Sequence, residues 1–89
     1  MSGHVRYCNT VSPTIFRYRS YRFYFFSREE PRMHVHVISP DGEAKFWLEP
    51  KIELAVNNGL RTTELNELQR IVEERQNEIR NNWQRHFKS

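Results

Sequence analysis

Two histidines, His34 and His36, stand two residues apart in the segment MHVHV and are the side chains best suited to chemistry in this chain. On a β-strand, residues two apart point the same way, with about 6–7 Å between their side-chain origins. Imidazole titrates near neutral pH and can act as a general acid or base, or as a metal ligand. The spacing therefore admits catalytic groups, RNA contacts or metal ligands, beside a structural interpretation in which both rings are solvated on the open face of a sheet.

Zinc binding is the least supported of these interpretations. Zinc requires three or four ligands, and the residues that could join the histidines are Glu43 and the distant His4 and His86. The single cysteine, Cys8, lies in a segment expected to be loose. Because no group of residues has the spacing of a known metal site, we predict no metal and no cofactor.

Acid–base catalysis on RNA needs few side chains, and suitable ones lie near the histidines. Glu43 could assist as an acid, and the block SREEPR just before the histidines supplies Glu30. We therefore predict His34, His36, Glu43 and Glu30 as candidate catalytic residues. The structural alternative for SREEPR is a solvated loop whose charges neutralise one another.

A basic and aromatic segment precedes the histidines. Five arginines come before Glu29, the first acidic residue, and several of them alternate with Phe and Tyr. Surfaces that bind nucleic acid combine cations for phosphates with rings that stack on unpaired bases, although a sheet with an aromatic core and solvated arginines has the same pattern. The candidate nucleic-acid contacts are Arg17, Arg22, Tyr24, Lys45 and Trp47.

Size and composition indicate one small folded domain. The chain has 89 residues, 37% of them hydrophobic and 13% aromatic, and a net charge of +3. This mild charge permits an acidic partner without requiring one. One cysteine excludes an internal disulfide, and no membrane-spanning stretch or signal-peptide core is visible, which favours the cytoplasm. We expect residues 1–12 to be a flexible extension and residues 13–89 to form the domain.

The elements that must position the candidate residues are strands. Residues 14–19 and 21–27 predict two strands, joined by a tight turn around Arg19–Tyr21 or fused into one bent strand. Residues 33–39 and 43–49 alternate on both sides of Pro-Asp-Gly, which is a turn sequence. Folding this hairpin pairs three apolar couples on one face: Val37 with Ala44, Val35 with Phe46, and Met33 with Leu48. The histidines then face Trp47 and Lys45 on the opposite side.

The C-terminal part of the chain predicts one long helix. Residues 62–88 carry an apolar stripe at helical spacing, interrupted by Gln76, and Thr62 or Thr63 can cap its start. Residues 51–60 predict a turn or a short strand, or a helical turn closed by Gly59. The predicted fold is α+β: an antiparallel sheet of about four strands, with one long C-terminal amphipathic helix packed on one face.

Three segments resemble DUF4160, a family of short bacterial proteins with a domain of unknown function. They are PTIFRYRSYRFYFFSREEPRMHVHV, DGEAKFWLEPKIELAVNNGL and the helix ending NNWQRHF. Members begin near the Pro-Thr-Ile, which implies that residues 1–12 are an extension. Such proteins are usually encoded beside a second small protein, often one with a possible DNA-binding role. The resemblance therefore implies a cognate partner in a toxin–antitoxin-like arrangement, and it implies no catalytic residues.

Two functional hypotheses follow. In the first, the chain is a toxin-like component that acts on RNA through the binding and catalytic residues given above. In the second, it is a non-enzymatic interaction module. The same face would then dock a partner protein, or a second copy of the chain would add to the sheet edge as a homodimer.

Overall fold

Five β-strands are followed by two α-helices in residues 11–26 and 31–87, the parts of the chain that the computed structural model describes. The strands are β1 (Val11–Tyr18), β2 (Tyr21–Phe26), β3 (His34–Ser39), β4 (Gly42–Trp47) and β5 (Glu53–Asn58). The helices are α1 (Thr62–Glu74) and α2 (Gln76–Phe87). The α+β prediction is confirmed. Residues 1–10 of the expected extension lie outside the described residues, so the boundary at residue 12 stays a prediction.

The strands form one antiparallel sheet in chain order, β1-β2-β3-β4-β5. The fifth strand comes from the segment predicted as a turn or short strand, so the expected count of four was too low. β5 pairs with β4 through an irregularity between Lys45 and Phe46, where Ala55 is the extra residue on β5. A bulge of this kind breaks the simple alternation that identifies a strand in a sequence.

The predicted register of the central hairpin is confirmed. Val35 lies opposite Phe46, Val37 opposite Ala44, and the amide of Leu48 donates to the carbonyl of Met33 at 2.9 Å. The turn around Arg19 is also confirmed, since Tyr18 lies opposite Tyr21. The pairing of β3 with β4 has no irregularity, and the side-chain period of a strand is two, so one correct pair in this hairpin fixes all the others.

Gly59 follows β5 at a position that only glycine occupies without strain. Its φ angle is +93°, and a Cβ built there would lie 2.8 Å from the carbonyl oxygen of Asp41. The turn after β5 therefore packs directly against the turn between β3 and β4. Asn57 strengthens the same turn, because its side chain both accepts from the amide of Leu60 and donates to the carbonyl of Leu60.

The single long helix predicted over residues 62–88 is wrong in one respect, because the helix is broken at Arg75. This residue has φ −110° and ψ 22° and separates α1 from α2. Its guanidinium lies 3.6 Å from the ring centroid of Phe16 and 2.8 Å from Glu78 Oε1. The N-cap is Arg61 rather than Thr62 or Thr63, and Glu64 Oε1 accepts from the Arg61 amide at 2.9 Å.

The hydrophobic core lies between the helices and one face of the sheet. Buried side chains of both layers meet there, namely Phe23, Phe25, Val35, Val37, Phe46 and Leu48 from the sheet side and Leu68, Ile71, Val72 and Ile79 from the helices. Packing of the helical segment on one face is therefore as predicted. Within residues 11–26 and 31–87, neither helix combines the length and the apolar character that crossing a bilayer requires.

Two tyrosines attach α1 to the first hairpin. The Tyr18 hydroxyl donates to Glu67 at 2.6 Å, and the Tyr21 hydroxyl donates to Glu64 at 3.1 Å. The bond from the Arg61 amide, and then the Tyr21 hydroxyl, hold the pKa of Glu64 below its ordinary value. Burial, and then the Glu64 carboxylate, raise the pKa of Tyr21. These bonds hold α1 against the side of the sheet that carries the core.

Candidate nucleic-acid interface

The sheet side turned away from the core carries the predicted site residues. We call it the far face. Its cross-strand pairs run from Arg17 opposite Arg22 through Tyr24 opposite His36 to His36 opposite Lys45. Strand alternation and the pairing of β5 with β4 add further members, so that the far face includes Arg17, Arg22, Tyr24, His34, His36, Ile38, Glu43, Lys45, Trp47, Glu53 and Val56. Glu30, the ninth predicted site residue, lies outside the described residues.

Three cations of this region rest on aromatic rings. The guanidinium of Arg22 lies 4.7 Å from the ring centroid of Tyr24, and the ammonium of Lys45 lies 4.5 Å from that of Trp47. The guanidinium of Arg32 lies 4.1 Å from the centroid of Trp47 and also donates to the carbonyl of Glu49 at 2.7 Å. A ring attracts a cation through its quadrupole and leaves the net charge in place.

Arg32 lies beside the far face and is a contributor that the sequence reasoning missed. In the sequence it belongs to the block SREEPR, for which the structural alternative is a solvated loop whose charges neutralise one another. The available signal was its position two residues before His34, since alternation from His34 and His36 continues to Arg32 on the same side. Its contact with Trp47 depends on the pairing of β3 with β4, which places Trp47 opposite His34.

His34 does not lie on an open surface, and the expectation that both imidazoles emerge to solvent is wrong for this residue. Its exposed fraction is 0%. Nδ1 donates to the Arg32 carbonyl at 2.6 Å, and the ring lies 5.7 Å from that of Trp47 and 5.2 Å from that of Trp83. Trp83 belongs to α2, so the last turns of the helix reach His34.

His36 is half-buried and lies nearer the centre of the far face. Its ring stacks on Tyr24 at a centroid distance of 5.4 Å and meets His34 edge-on at 5.0 Å. It also borders a cavity of about 170 Å³, whose other lining residues include Glu43, Lys45, Val56 and Asn58. The structure therefore brings His36, Glu43 and Lys45 together in one shallow pocket.

The predicted contact residues differ in solvent exposure, and therefore in how accessible each side chain is to a ligand. Arg17 and Glu43 are exposed, and Arg22, Lys45 and Trp47 are half-buried. Tyr24 is 5% exposed, so it offers a base almost no stacking area and acts by holding Arg22. The far face can therefore offer guanidinium and ammonium groups more readily than free rings.

Ion pairs within the described ranges neutralise charges of the helices. Arg70 pairs with Glu74 at 2.8 Å and Arg75 with Glu78 at 2.8 Å, and Arg19 lies 3.4 Å from Glu67. Glu43 and Glu53, which lies opposite Trp47, are the acidic side chains on this side within the described ranges, against Arg17, Arg22, Lys45 and the adjacent Arg32. The excess of positive charge on this side suits an anionic ligand.

The two histidines do not belong to a larger set of metal-ligating side chains in the part of the chain that is described. Residues 11–26 and 31–87 contain no cluster of three or more His, Cys, Asp or Glu side chains placed to hold a metal ion. His86, one of the ligands considered above, lies against Phe25 and Phe87 instead of near the pocket. His4 and Cys8 lie outside the described residues.

Comparison with known proteins gives one result. No match was found among curated proteins or among solved structures. The family model of a domain of unknown function, DUF4160, matches residues 20–84, a range that contains β2 to β5, α1 and most of α2. Because this match spans well over half of the chain, the protein belongs to the DUF4160 family.

Proposed function

We propose that this protein binds single-stranded RNA on its far face, as the toxin-like component of a two-gene module. The observation that carries the proposal is the row of cations held on rings beside the pocket of His36, Glu43 and Lys45. Phosphate contacts supply most of the affinity of non-specific nucleic-acid binding. Four cations on one side of a small sheet are enough to give a measurable, salt-dependent affinity.

Single-stranded RNA suits this surface better than a duplex. The far face belongs to a sheet, and no described helix projects from it to enter a groove. Flexible single strands can follow such a face, with phosphates on Arg and Lys and bases against the half-buried ring of Trp47. Arg32 and Lys45 already lie against the ring of Trp47. A base would therefore insert between this ring and one of the two cations, or stack on the guanidinium of Arg32.

RNA cleavage is the catalytic form of this proposal, and the shared pocket supports it. His36 would accept the proton of a ribose 2′-hydroxyl as its oxygen attacks the adjacent phosphorus. Lys45 would stabilise the negative charge that builds on the phosphate, Glu43 would assist from the same pocket, and the departing 5′-oxygen would take its proton from a water molecule. The products are a 2′,3′-cyclic phosphate and a free 5′-hydroxyl. His34 would act by holding His36 in place.

Fluorescence anisotropy with a labelled 12-nucleotide RNA tests the binding step. The double variant R22A/K45A should bind at least tenfold more weakly than the wild type. The control R70A/R85A removes the same charge from exposed positions of the helices and should bind as the wild type does. Equal losses in both variants would mean that only net charge matters, and the far face would then have no special role. Equal binding of a duplex of the same sequence would exclude the single-strand preference.

Gel analysis of the same RNA tests the catalytic step. The variant H36A should retain most of the binding and lose cleavage, with a 2′,3′-cyclic phosphate detected only in the wild-type reaction. If cleavage persists in H36A, the role given to His36 is wrong. If the wild type binds without cleaving, the protein is an RNA-binding module and not a nuclease.

The toxin-like role rests on the family resemblance and needs a separate test. Expression of the chain in a bacterial host should arrest growth, and co-expression of the small protein encoded beside its gene should restore growth. Arrest that survives in R22A/K45A would separate toxicity from the far face. The alternative function, a non-catalytic interaction module, is favoured by a different observation: the edge strand β5 exposes the apolar side chains of Leu54 and Val56.

A further inference from the structure

We infer that two copies of this chain pair through the outer edges of their β5 strands to form a continuous sheet. Among the described residues, β5 is the end of the strand order, and no strand covers its outer side. An edge strand presents a row of backbone donors and acceptors that another strand can satisfy. The inference stands independently of RNA binding.

The side chains of β5 point to pairing and not to a solvated edge. Leu54 and Val56 are 39% and 44% exposed, the two highest values among the exposed large hydrophobic residues that the structure describes. Leu54 lies opposite the core residue Phe46, and Val56 lies opposite Lys45 of the far face. The extra residue Ala55 thus places one apolar side chain on each side of the edge, where an added strand would cover both.

Charge favours a second copy as the occupant. Glu53 is the one charged residue within β5, and residues 54–58 are uncharged. In an antiparallel self-pairing centred between Ala55 and Val56, Leu54 lies opposite Asn57 on the core side and Glu53 lies opposite Asn58 on the far face, so no like charges meet across the strands. Such a pairing is isologous, since each copy offers the same segment to the other.

The opposite edge of the sheet differs from β5. β1 contains Pro13, which has no amide hydrogen to donate, and its pairing with β2 shifts register twice. Proline and bulges are features that keep an edge from pairing with another chain. β5 has a single bulge and no proline, and its sequence ELAVNN has one charge. These differences between β1 and β5 favour β5 as the edge through which two copies pair.

The geometry of this dimer has one consequence for the far face. The two-fold axis of an antiparallel strand pair stands perpendicular to the sheet, so the far faces of both copies point to the same side. With strands about 4.8 Å apart, the two β4 strands that carry Lys45 would lie about 14 Å from each other. If the proposed function holds, one RNA strand could contact both copies; this consequence alone depends on the proposed function.

Sedimentation velocity of the full chain, without RNA, tests the inference. The wild type should sediment as a dimer at micromolar concentration. The dissociation constant of the dimer should be at least tenfold higher for V56K and for L54K. I38K is the matched control, because Ile38 is 38% exposed on β3, away from the edge, and this variant should remain dimeric. Circular dichroism checks that each variant is folded.

Two results would overturn the inference. One is a wild type that stays monomeric up to hundreds of micromolar. The other is a dimer that V56K and L54K leave intact, or that I38K disrupts equally, because the contact would then lie elsewhere. Neither result bears on RNA binding, which is measured separately by anisotropy, so the failure of one proposal can be distinguished from the failure of the other.

Discussion

The salt dependence of RNA binding gives the most direct test of the far face. Each phosphate neutralised by a lysine or arginine releases counterions from a single strand, and the logarithm of the affinity falls with the logarithm of salt at a slope of about −0.7 per contact. Arg17, Arg22, Arg32 and Lys45 are the cations of this side. Four contacts give a slope of about −2.8, so raising salt fourfold should weaken binding roughly 50-fold.

Replacing Lys45 by alanine should change the slope by the value of one contact. The expected slope for K45A is about −2.1, and the same fourfold rise in salt should weaken its binding only about 20-fold. The measurement is fluorescence anisotropy with a labelled 12-nucleotide RNA from 50 to 200 mM KCl. R70A is the control, because Arg70 lies on α1 and pairs with Glu74, and its slope should equal that of the wild type.

Two results would refute this reasoning. A wild-type slope near zero would show that phosphate contacts contribute little to the affinity. A slope for R70A that falls as far as that of K45A would show that binding follows the net charge of the protein and not the arrangement of the far face. In either case the cation–ring contacts would be structural features of the sheet.

Three further predictions concern stability and are measured by urea unfolding. F46A should lower the free energy of unfolding by about 3–5 kcal/mol, because Phe46 is fully buried in the core and truncation leaves a cavity; a loss below about 1 kcal/mol would contradict the core described above. G59A should cost about 1–3 kcal/mol, since its backbone is left-handed and its Cβ would meet the Asp41 carbonyl; an unchanged stability would show that this turn rearranges freely. E64Q should destabilise the protein at neutral pH. Because the folded state lowers the pKa of Glu64, the carboxylate stabilises above its ordinary pKa, and that contribution is lost as pH falls through the lowered value. The difference between E64Q and the wild type should therefore shrink in acid, and a constant difference would contradict this assignment.

Much of the sheet could be predicted from the sequence because its signals are local. Alternation in residues 33–39 and 43–49 and the Pro-Asp turn between them set the register of β3 with β4, and the structure has the same pairs. A one-residue slip would have moved every apolar side chain to the wrong face. The same logic placed the predicted site residues on one side, apart from Glu30, which is not described.

Other features depend on contacts between distant residues, which a single sequence does not reveal. The break at Arg75 has no glycine or proline to announce it and coincides with a contact to Phe16, 59 positions earlier in the chain. Likewise, Arg32 contacts the far face only because the pairing of β3 with β4 places Trp47 next to it. β5 was ambiguous because its bulge interrupts the alternation that marks a strand.

The sequence by itself determined the fold class, the central register and the family, since each depends on short-range periodicity or on a long direct match. Only the tertiary structure decided that the two histidines differ. His34 is covered by Trp83 from α2, whereas His36 shares a pocket with Glu43 and Lys45. The physical reason is that alternation fixes the side of the sheet on which a residue lies, while its exposure depends on which distant element packs against that side.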